Sequence, residues 1–326
     1  MNRTTGQIML LVLAALAPGV LAQTYFFGVG VLLNLLIAMV TAMATEALIL
    51  TLRQRSVLSA LFDGTALVTA SLLALALPAL VPWWVVVIGT VAAIGIAKHL
   101  YGGTGNNLFN PAMVGYAVVI LSFPLAMSQW QSPTGTALSF TETLAIKAGA
   151  PLTDGITSAT PLDSYKFRGA SSNAEYWQEQ PQGFVLAYAW DWINLAYLAG
   201  GLLLWQMRLI RWQAPVTMLL TLTVLAVLFY DDGSSASLGS PLFHLLSGST
   251  MIAAFFILTD PVTSPASLRG QLLFGIGVGA LIFLIRAIGA YPDGIAFAIL
   301  LMNAVSPLID QTLTYMDQRK PREAQS

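Results

Sequence analysis

The sequence predicts an all-α integral membrane protein with about ten transmembrane helices, arranged as two inverted five-helix repeats around one long extracytoplasmic loop. Three observations carry that prediction. Hydrophobic residues make up 56% of the chain and charged residues 9%, where a soluble domain is roughly a quarter charged. The apolar residues fall into runs near the length that crosses hydrocarbon as a helix, about 20 residues. One hydrophilic stretch, residues 129–185, divides those runs into two groups. A mean hydropathy of +0.74 agrees.

The spans are read in order at 6–22, 25–52, 64–81, 83–98, 111–128, 186–207, 214–230, 242–260, 270–288 and 292–310. The first is interrupted by Pro18-Gly19 and lacks a clear small-residue cleavage site, so it is expected to be a span and not a removable signal. The third and fourth are separated by a tight turn from Pro78 to Trp83, because Pro82 suits the opening of a helix. The resulting organisation is a first repeat at 1–128, the loop at 129–185, a second repeat at 186–311 and a polar tail at 312–326. Trp83-Trp84 and Trp190, Trp192, Trp205 and Trp212 read as interfacial belts.

Composition also excludes. The chain has no cysteine, which removes disulfides, thiolate metal sites and iron–sulfur ligation. Its two histidines, His99 and His244, are too few for a metal centre and read as packed or interfacial. A net charge of −1 argues against nucleic acid as a partner.

Basic residues set the expected orientation. A cytoplasmic N-terminus places Arg3, Arg53, Arg55, Lys98, Arg208, Arg211, Arg269, Arg319, Lys320 and Arg322 on the cytoplasmic side, ten of the fourteen. Three of the others, Lys147, Lys166 and Arg168, lie in the long loop, where charge has little influence, and Arg286 reads as snorkelling outward. Both termini are then cytoplasmic and the loop is periplasmic. An odd number of spans in each half forces the halves into opposite orientation. Residues 111–118 and 292–299 share a small/large pattern, and Gly64–Val68 can be set beside Gly248–Ile252, although glycine and alanine recur in every membrane helix.

Two stretches read as helix breaks. Residues 102–111 are too polar and glycine-rich for a regular helix, and they lead into a span opened by Pro111. Thr259-Asp260-Pro261-Val262-Thr263-Ser264-Pro265 ends a span abruptly. Irregular backbone near a membrane is tolerated inside protein or along a wet cavity, and the plain alternative for both stretches is a cytoplasmic turn. Asn107, Asn110 and Asp260 are therefore candidates for a ligand or ion region. Glu46 joins them, because an acid inside a span must face protein or water. Asp63, Asp260, Asp293 and Asp310 sit at span ends, where capping is the ordinary role.

The loop carries Asp154-Gly155-Ile156-Thr157-Ser158-Ala159-Thr160-Pro161-Leu162. Thr160 supplies a hydroxyl nucleophile, Ser158 and Ala159 are slim neighbours, Asp154-Gly155 marks a turn, and Pro161 stiffens the chain. On its own such a run is an ordinary loop. As an acceptor it would place a phosphodiester on Thr160, with Lys147, Lys166 or Arg168 as candidates to neutralise its charge.

The run does not stand alone. With Gly103–Tyr116, Ala254–Pro265 and Asp293–Asn303 in the same order, the chain resembles the D-type membrane subunits of the Rnf electron-transport complexes and their sisters, the B-type subunits of the sodium-translocating NADH:quinone reductases. The resemblance covers nearly the whole chain, and the N-terminus favours the Rnf branch. Ser158 stands where that family commonly has glycine. The resemblance implies FMN esterified through its phosphate to Thr160, with Asp154, Gly155, Thr157, Ser158 and Ala159 forming the attachment motif. An FMN transferase would deliver the group from FAD. The resemblance further implies a free riboflavin, for which the broken helices are the expected region, and a fold like that of urea and ammonium transporters. Partners would be a second flavinylated subunit and iron–sulfur subunits in a bacterial inner membrane. The complex would couple electron transfer between ferredoxin and NAD to sodium or proton movement, with Glu46 the protonatable candidate in this chain. A secondary transporter or channel for a small solute, with no redox role, is the alternative from another class, and a ligand-free anchor a third.

Overall fold

A computed structural model describes residues 3–100, 103, 105–135, 138–152, 155–180, 188–291 and 293–318. The protein is an all-α membrane protein. Among the described residues, four helices are long and apolar enough to cross a membrane: α1 (Thr5–Phe27), α2 (Gly30–Leu52), α15 (Leu268–Ile288) and α16 (Ile295–Gln318). The other hydrophobic runs also contain helices. Between α2 and the long loop come α3 (Val57–Leu61), α4 (Thr65–Ala76), α5 (Trp83–Val91), α6 (Pro111–Ser122) and α7 (Pro124–Ser128). Helix α5 continues as a π-helical stretch, Ala92–His99. After the loop come α11 (Tyr188–Gln206), α12 (Gln213–Leu228), α13 (Pro241–Leu246) and α14 (Thr250–Ile252), the last running into a second π-helical stretch, Ala253–Ile257.

The turn at Pro78 is as expected, with Pro82 as the N-cap of α5. The Pro18-Gly19 interruption is not: α1 runs straight through Pro18. The glycine serves packing instead. A Cβ at Gly19 would lie 2.1 Å from the Tyr197 ring, so α1 and α11 approach closely only because that atom is missing. The last helix also outruns its predicted end at 310 and continues to Gln318.

The eighth span, expected as one run at 242–260, is split at Ser247-Gly248-Ser249. Gly248 takes φ +61° there. The break is closed by a side chain from α11. Asn194 Nδ2 donates to Leu246 O at 2.8 Å and Gly248 O at 3.1 Å, and its Oδ1 accepts from Met251 N–H at 3.1 Å. Arg286 does not snorkel outward. It is buried, and its guanidinium donates to His244 O at 2.8 Å, to Thr250 Oγ1 at 2.9 Å and to Asp293 Oδ1 at 3.1 Å.

Helices pair in the same order on both sides of the loop. Helix α2 packs on α4 and α5, and α5 on α6; α12 packs on α13 and α15, and α15 on α16. Helices α1 and α11 pack together, as do α6 and α16. Small side chains such as Ala38, Ala42, Ala70, Ala93, Ala112 and Ala253 fill the contacts, while Leu21, Leu48, Leu121, Leu228 and Ile288 stand exposed on the outer faces.

The loop is structured. It contains α8 (Phe140–Lys147), α9 (Pro161–Lys166) and α10 (Asn173–Glu179), and a two-residue ladder of β1 (Trp130–Gln131) with β2 (Thr157–Ser158). Helices α8 and α10 open with capping boxes, Ser139 with Glu142 and Ser172 with Glu175. Two ends of the molecule follow from α6, which rises about 18 Å over its length. Its Ser122 end carries the loop, and its Pro111 end carries the helix breaks.

Candidate functional site

Thr160 is fixed from both sides. The antiparallel pairing of Trp130 with Ser158 and Gln131 with Thr157 holds the chain just before it. Pro161 at the first position of α9 makes Thr160 the N-cap. Its Oγ1 accepts from Asp163 N–H at 3.2 Å and donates to Asp163 Oδ2 at 2.6 Å. Gly155 takes φ +85°, as the expected turn requires. Asp154 lies outside the described residues.

Thr160 is half-buried and lines two clefts at once. One, of about 260 Å³, has aromatic walls from Trp130, Trp177, Tyr188 and Trp190 and polar groups from Gln131, Ser132, Thr134 and Ser164. Ala159 and Ser158 lie on its rim. The other, of about 210 Å³, reaches inward past Asp163, Tyr116, Ser249 and Asp293. Trp190 is therefore not part of a membrane belt. It is buried, with its ring 5.4 Å from that of Trp130, whereas Trp83, Trp192, Trp205 and Trp212 are exposed as belts require.

The three loop cations are held elsewhere, and none lines either cleft. Lys147 is buried, donating to Asn34 Oδ1 and to Val81 O at 3.1 Å. Loss of hydration pulls its ammonium down to about 7. Lys166 closes the C-terminal end of α15, donating to Ile285 O, Gly289 O and Tyr291 O. Burial lowers its pKa, and the neighbouring Asp163 opposes that shift. Arg168 donates to Tyr165 O and Ser237 O and lies 3.9 Å above the Tyr165 ring. The three candidate cations for Thr160 are thus engaged with other oxygens.

At the other end of α6 the two predicted breaks meet. Asn110 caps α6, accepting from Met113 N–H at 3.2 Å, and its Nδ2 donates to Asp260 Oδ2 at 3.4 Å. Asp260 also accepts from Val262 N–H at 3.0 Å and Thr263 Oγ1 at 3.1 Å. Asn303 joins the two stretches, accepting from Asn110 N–H at 3.0 Å and donating to Thr263 O at 3.1 Å. Asn107, Asn110 and Asp260 line one cavity of about 260 Å³ together with Lys98.

Glu46 does not line that cavity but borders it through Lys98. Lys98 Nζ donates to Glu46 Oε1 at 2.6 Å and to Thr65 Oγ1 at 2.7 Å, and His99 Nε2 lies 3.2 Å from the same carboxylate oxygen. The three are at most 3% exposed. Lys98, read from sequence as a charge at a span end, is a buried counter-ion. The π-helical stretch widens the turn so that consecutive residues both reach Glu46. Sequence reasoning also missed Asn194 and Asp163; the polar residue inside an apolar span and the Thr-x-x-Asp spacing were their signals. Asp63, Asp260, Asp293 and Asp310 all accept backbone or side-chain bonds at helix ends.

The cavities form a series. The inward cleft at Thr160 shares Ala76, Tyr116, Ser249 and Asp293 with a small void of about 20 Å³. That void shares Leu72 with the cavity at the helix breaks.

Residues 1–318 match the NQR2, RnfD, RnfE family. The D-type subunit of an ion-translocating oxidoreductase complex from Cellvibrio japonicus is 47% identical over 335 residues, covering 99% of this chain and 94% of that protein. Proteins of the same description from Vibrio cholerae and Salmonella paratyphi A are 48% and 49% identical, each covering 95% of this chain and 93% of the relative. Matched along nearly its whole length, the chain belongs to the NQR2, RnfD, RnfE family.

Proposed function

We propose that this chain is the flavin-carrying membrane subunit of an ion-translocating oxidoreductase complex, with FMN esterified through its phosphate to Thr160 Oγ1. The observation that carries the reading is the Thr160 hydroxyl at the mouth of an aromatic-walled cleft, its backbone braced by β2 before it and α9 after it. The residues present suit the group. Trp130, Trp177, Tyr188 and Trp190 offer flat surfaces for an isoalloxazine, and Gln131, Ser132 and Thr134 offer donors to its polar edge and phosphate. Bound FMN would supply the electron-accepting and electron-donating chemistry. The protein holds the acceptor oxygen and presents the cleft, and among the described residues no lysine or arginine lines it.

In this reading the loop face is periplasmic, and the end with the helix breaks is cytoplasmic. The concentration of Arg53, Arg55, Lys98, Arg208, Arg211 and Arg269 near that end supports it. The matching order of helix pairing supports an inverted repeat. The cavity lined by Lys98, Asn107, Asn110 and Asp260 is the proposed place for a free riboflavin, and Glu46 the proposed group for coupling to a proton or sodium ion. Coupling requires that the ion bind the two redox states unequally. The series of cavities through the helix interface favours a second reading, a carrier for a small solute with no redox role.

One experiment separates them. The chain is expressed with its FMN transferase, run on a denaturing gel under ultraviolet light, and weighed intact. The flavoprotein reading expects a fluorescent band and one FMN adduct, both lost in Thr160→Val. A wild-type chain without the adduct favours the carrier, and an adduct that survives in Thr160→Val moves the attachment elsewhere.

A further inference from the structure

The loop contains three helices opened by a hydroxyl residue with an acid three positions on, and one of them differs. At Ser139 and Ser172 the partner is glutamate. Each Glu carboxylate accepts from the serine backbone N–H at 2.8 Å as well as from the hydroxyl, and both acids are exposed at the protein surface. At Thr160 the partner is Asp163, one methylene shorter. Its carboxylate takes the hydroxyl proton at 2.6 Å and makes no described bond to the Thr160 N–H. It is also half-buried and faces the inward cleft that Thr160 lines, which neither glutamate does. The helix cap is already closed by the Asp163 N–H donating to Thr160 Oγ1, so the carboxylate contact is additional to the cap.

We propose that Asp163 is the proton acceptor for modification of Thr160, so that the acceptor protein brings its own general base to the reaction. The inference rests on the reading of Thr160 as the flavin attachment site. The co-reactant is a flavin adenine dinucleotide held by the transferase. Thr160 Oγ1 attacks the phosphorus on the riboflavin side of the pyrophosphate, and the Oγ1–P bond forms. The P–O bond to the adenylate half breaks, and AMP leaves with the electron pair. The hydroxyl proton passes to Asp163 Oδ2 and then to water. The hydroxyl–carboxylate contact of 2.6 Å directs the proton along that bond and frees a lone pair of Oγ1 for attack. Among the described residues, no lysine or arginine lines either cleft to activate the oxygen in its place.

The test is transfer in vitro from FAD to the full-length chain by its FMN transferase, followed by intact mass. Asp163→Asn keeps the backbone N–H cap and a carbonyl oxygen facing the hydroxyl, and lacks only the negative charge. The expected result is a rate about 10²-fold lower, rising by about tenfold per pH unit as hydroxide replaces the missing base, while the wild-type rate stays flat. Asp163→Glu recovers most of the rate. Hydrogen exchange at α9 checks that the cap survives in both variants. Equal rates and equal pH profiles for wild type and Asp163→Asn overturn the role of Asp163 and leave Thr160 as the site. A wild-type chain that gains no FMN overturns the attachment itself, and this inference with it.

Discussion

The protein interrupts its helices at both ends of the bundle, and it closes the two interruptions with different chemistry. At the loop end, Ser247-Gly248-Ser249 is closed by a neutral amide, Asn194, and by an arginine whose donors face carbonyls and a hydroxyl as well as Asp293. Lys147 and Lys166 there donate their hydrogen bonds to neutral oxygens, mainly backbone carbonyls. At the other end, Lys98 meets the Glu46 carboxylate directly, with His99 beside it. The first arrangement holds its cations without a carboxylate bonded to each of them, and among the described residues no positive side chain lines the clefts around Thr160. The second buries an ion pair whose lysine lines a cavity. The difference teaches that the loop end closes its break with a neutral amide and one arginine, and the far end holds a buried ion pair.

Removing one partner of the buried pair is the strongest way to break that contrast. Lys98→Met leaves Glu46 with only His99, and about 3–5 kcal/mol of stability should go, read as a fall in thermal unfolding of the purified protein in detergent. The double variant with Glu46→Gln should regain most of it. If Lys98→Met alone unfolds at the wild-type temperature, the pair is not the ionic anchor described above. Asn194→Leu comes next. It strands the carbonyls of Leu246 and Gly248 and the amide of Met251, for a loss of about 2–4 kcal/mol and faster exchange at residues 246–252.

Lys147 gives the smallest step per pH unit and the clearest sign. Its folded pKa, about 7, lies below the ordinary 10.5, so above pH 7 the released chain binds more protons than the docked one. Docking of α8 is then weakest and flat below pH 7, and it strengthens by about 1.4 kcal/mol per pH unit from there toward 10.5. Amide exchange at residues 143–148, compared with Lys147→Met, measures it. A variant that keeps the same slope assigns the titration to another group.

The all-α membrane class was legible because composition alone demands it, and the irregular stretch at 105–110 because glycine, asparagine and proline announce it. The break at Gly248 was not, since two serines and a glycine inside an apolar run look like ordinary helix packing, and its cap comes from Asn194, 52 residues or more away in sequence. Lys98 was misread for the same reason: only folding reveals that its charge points at Glu46 and not at solvent. Pro18 misled in the opposite direction, because a long membrane helix tolerates it where a short soluble one would end. At the site, Thr160 was legible from its motif. The aromatic walls were not, as Trp130, Trp177 and Trp190 are far apart in sequence and meet only when the loop lies down on the bundle.

Helix α9 is only six residues long, yet it has Thr160 at one end and Lys166 at the other. The lysine is latched to three carbonyls at and just past the end of α15. The segment is therefore a stiff strut of about 9 Å between a transmembrane helix and the hydroxyl. A tilt of α15 would therefore pull on the base of that strut, and the orientation of the Thr160 oxygen is coupled to the tilt of a helix in the bundle.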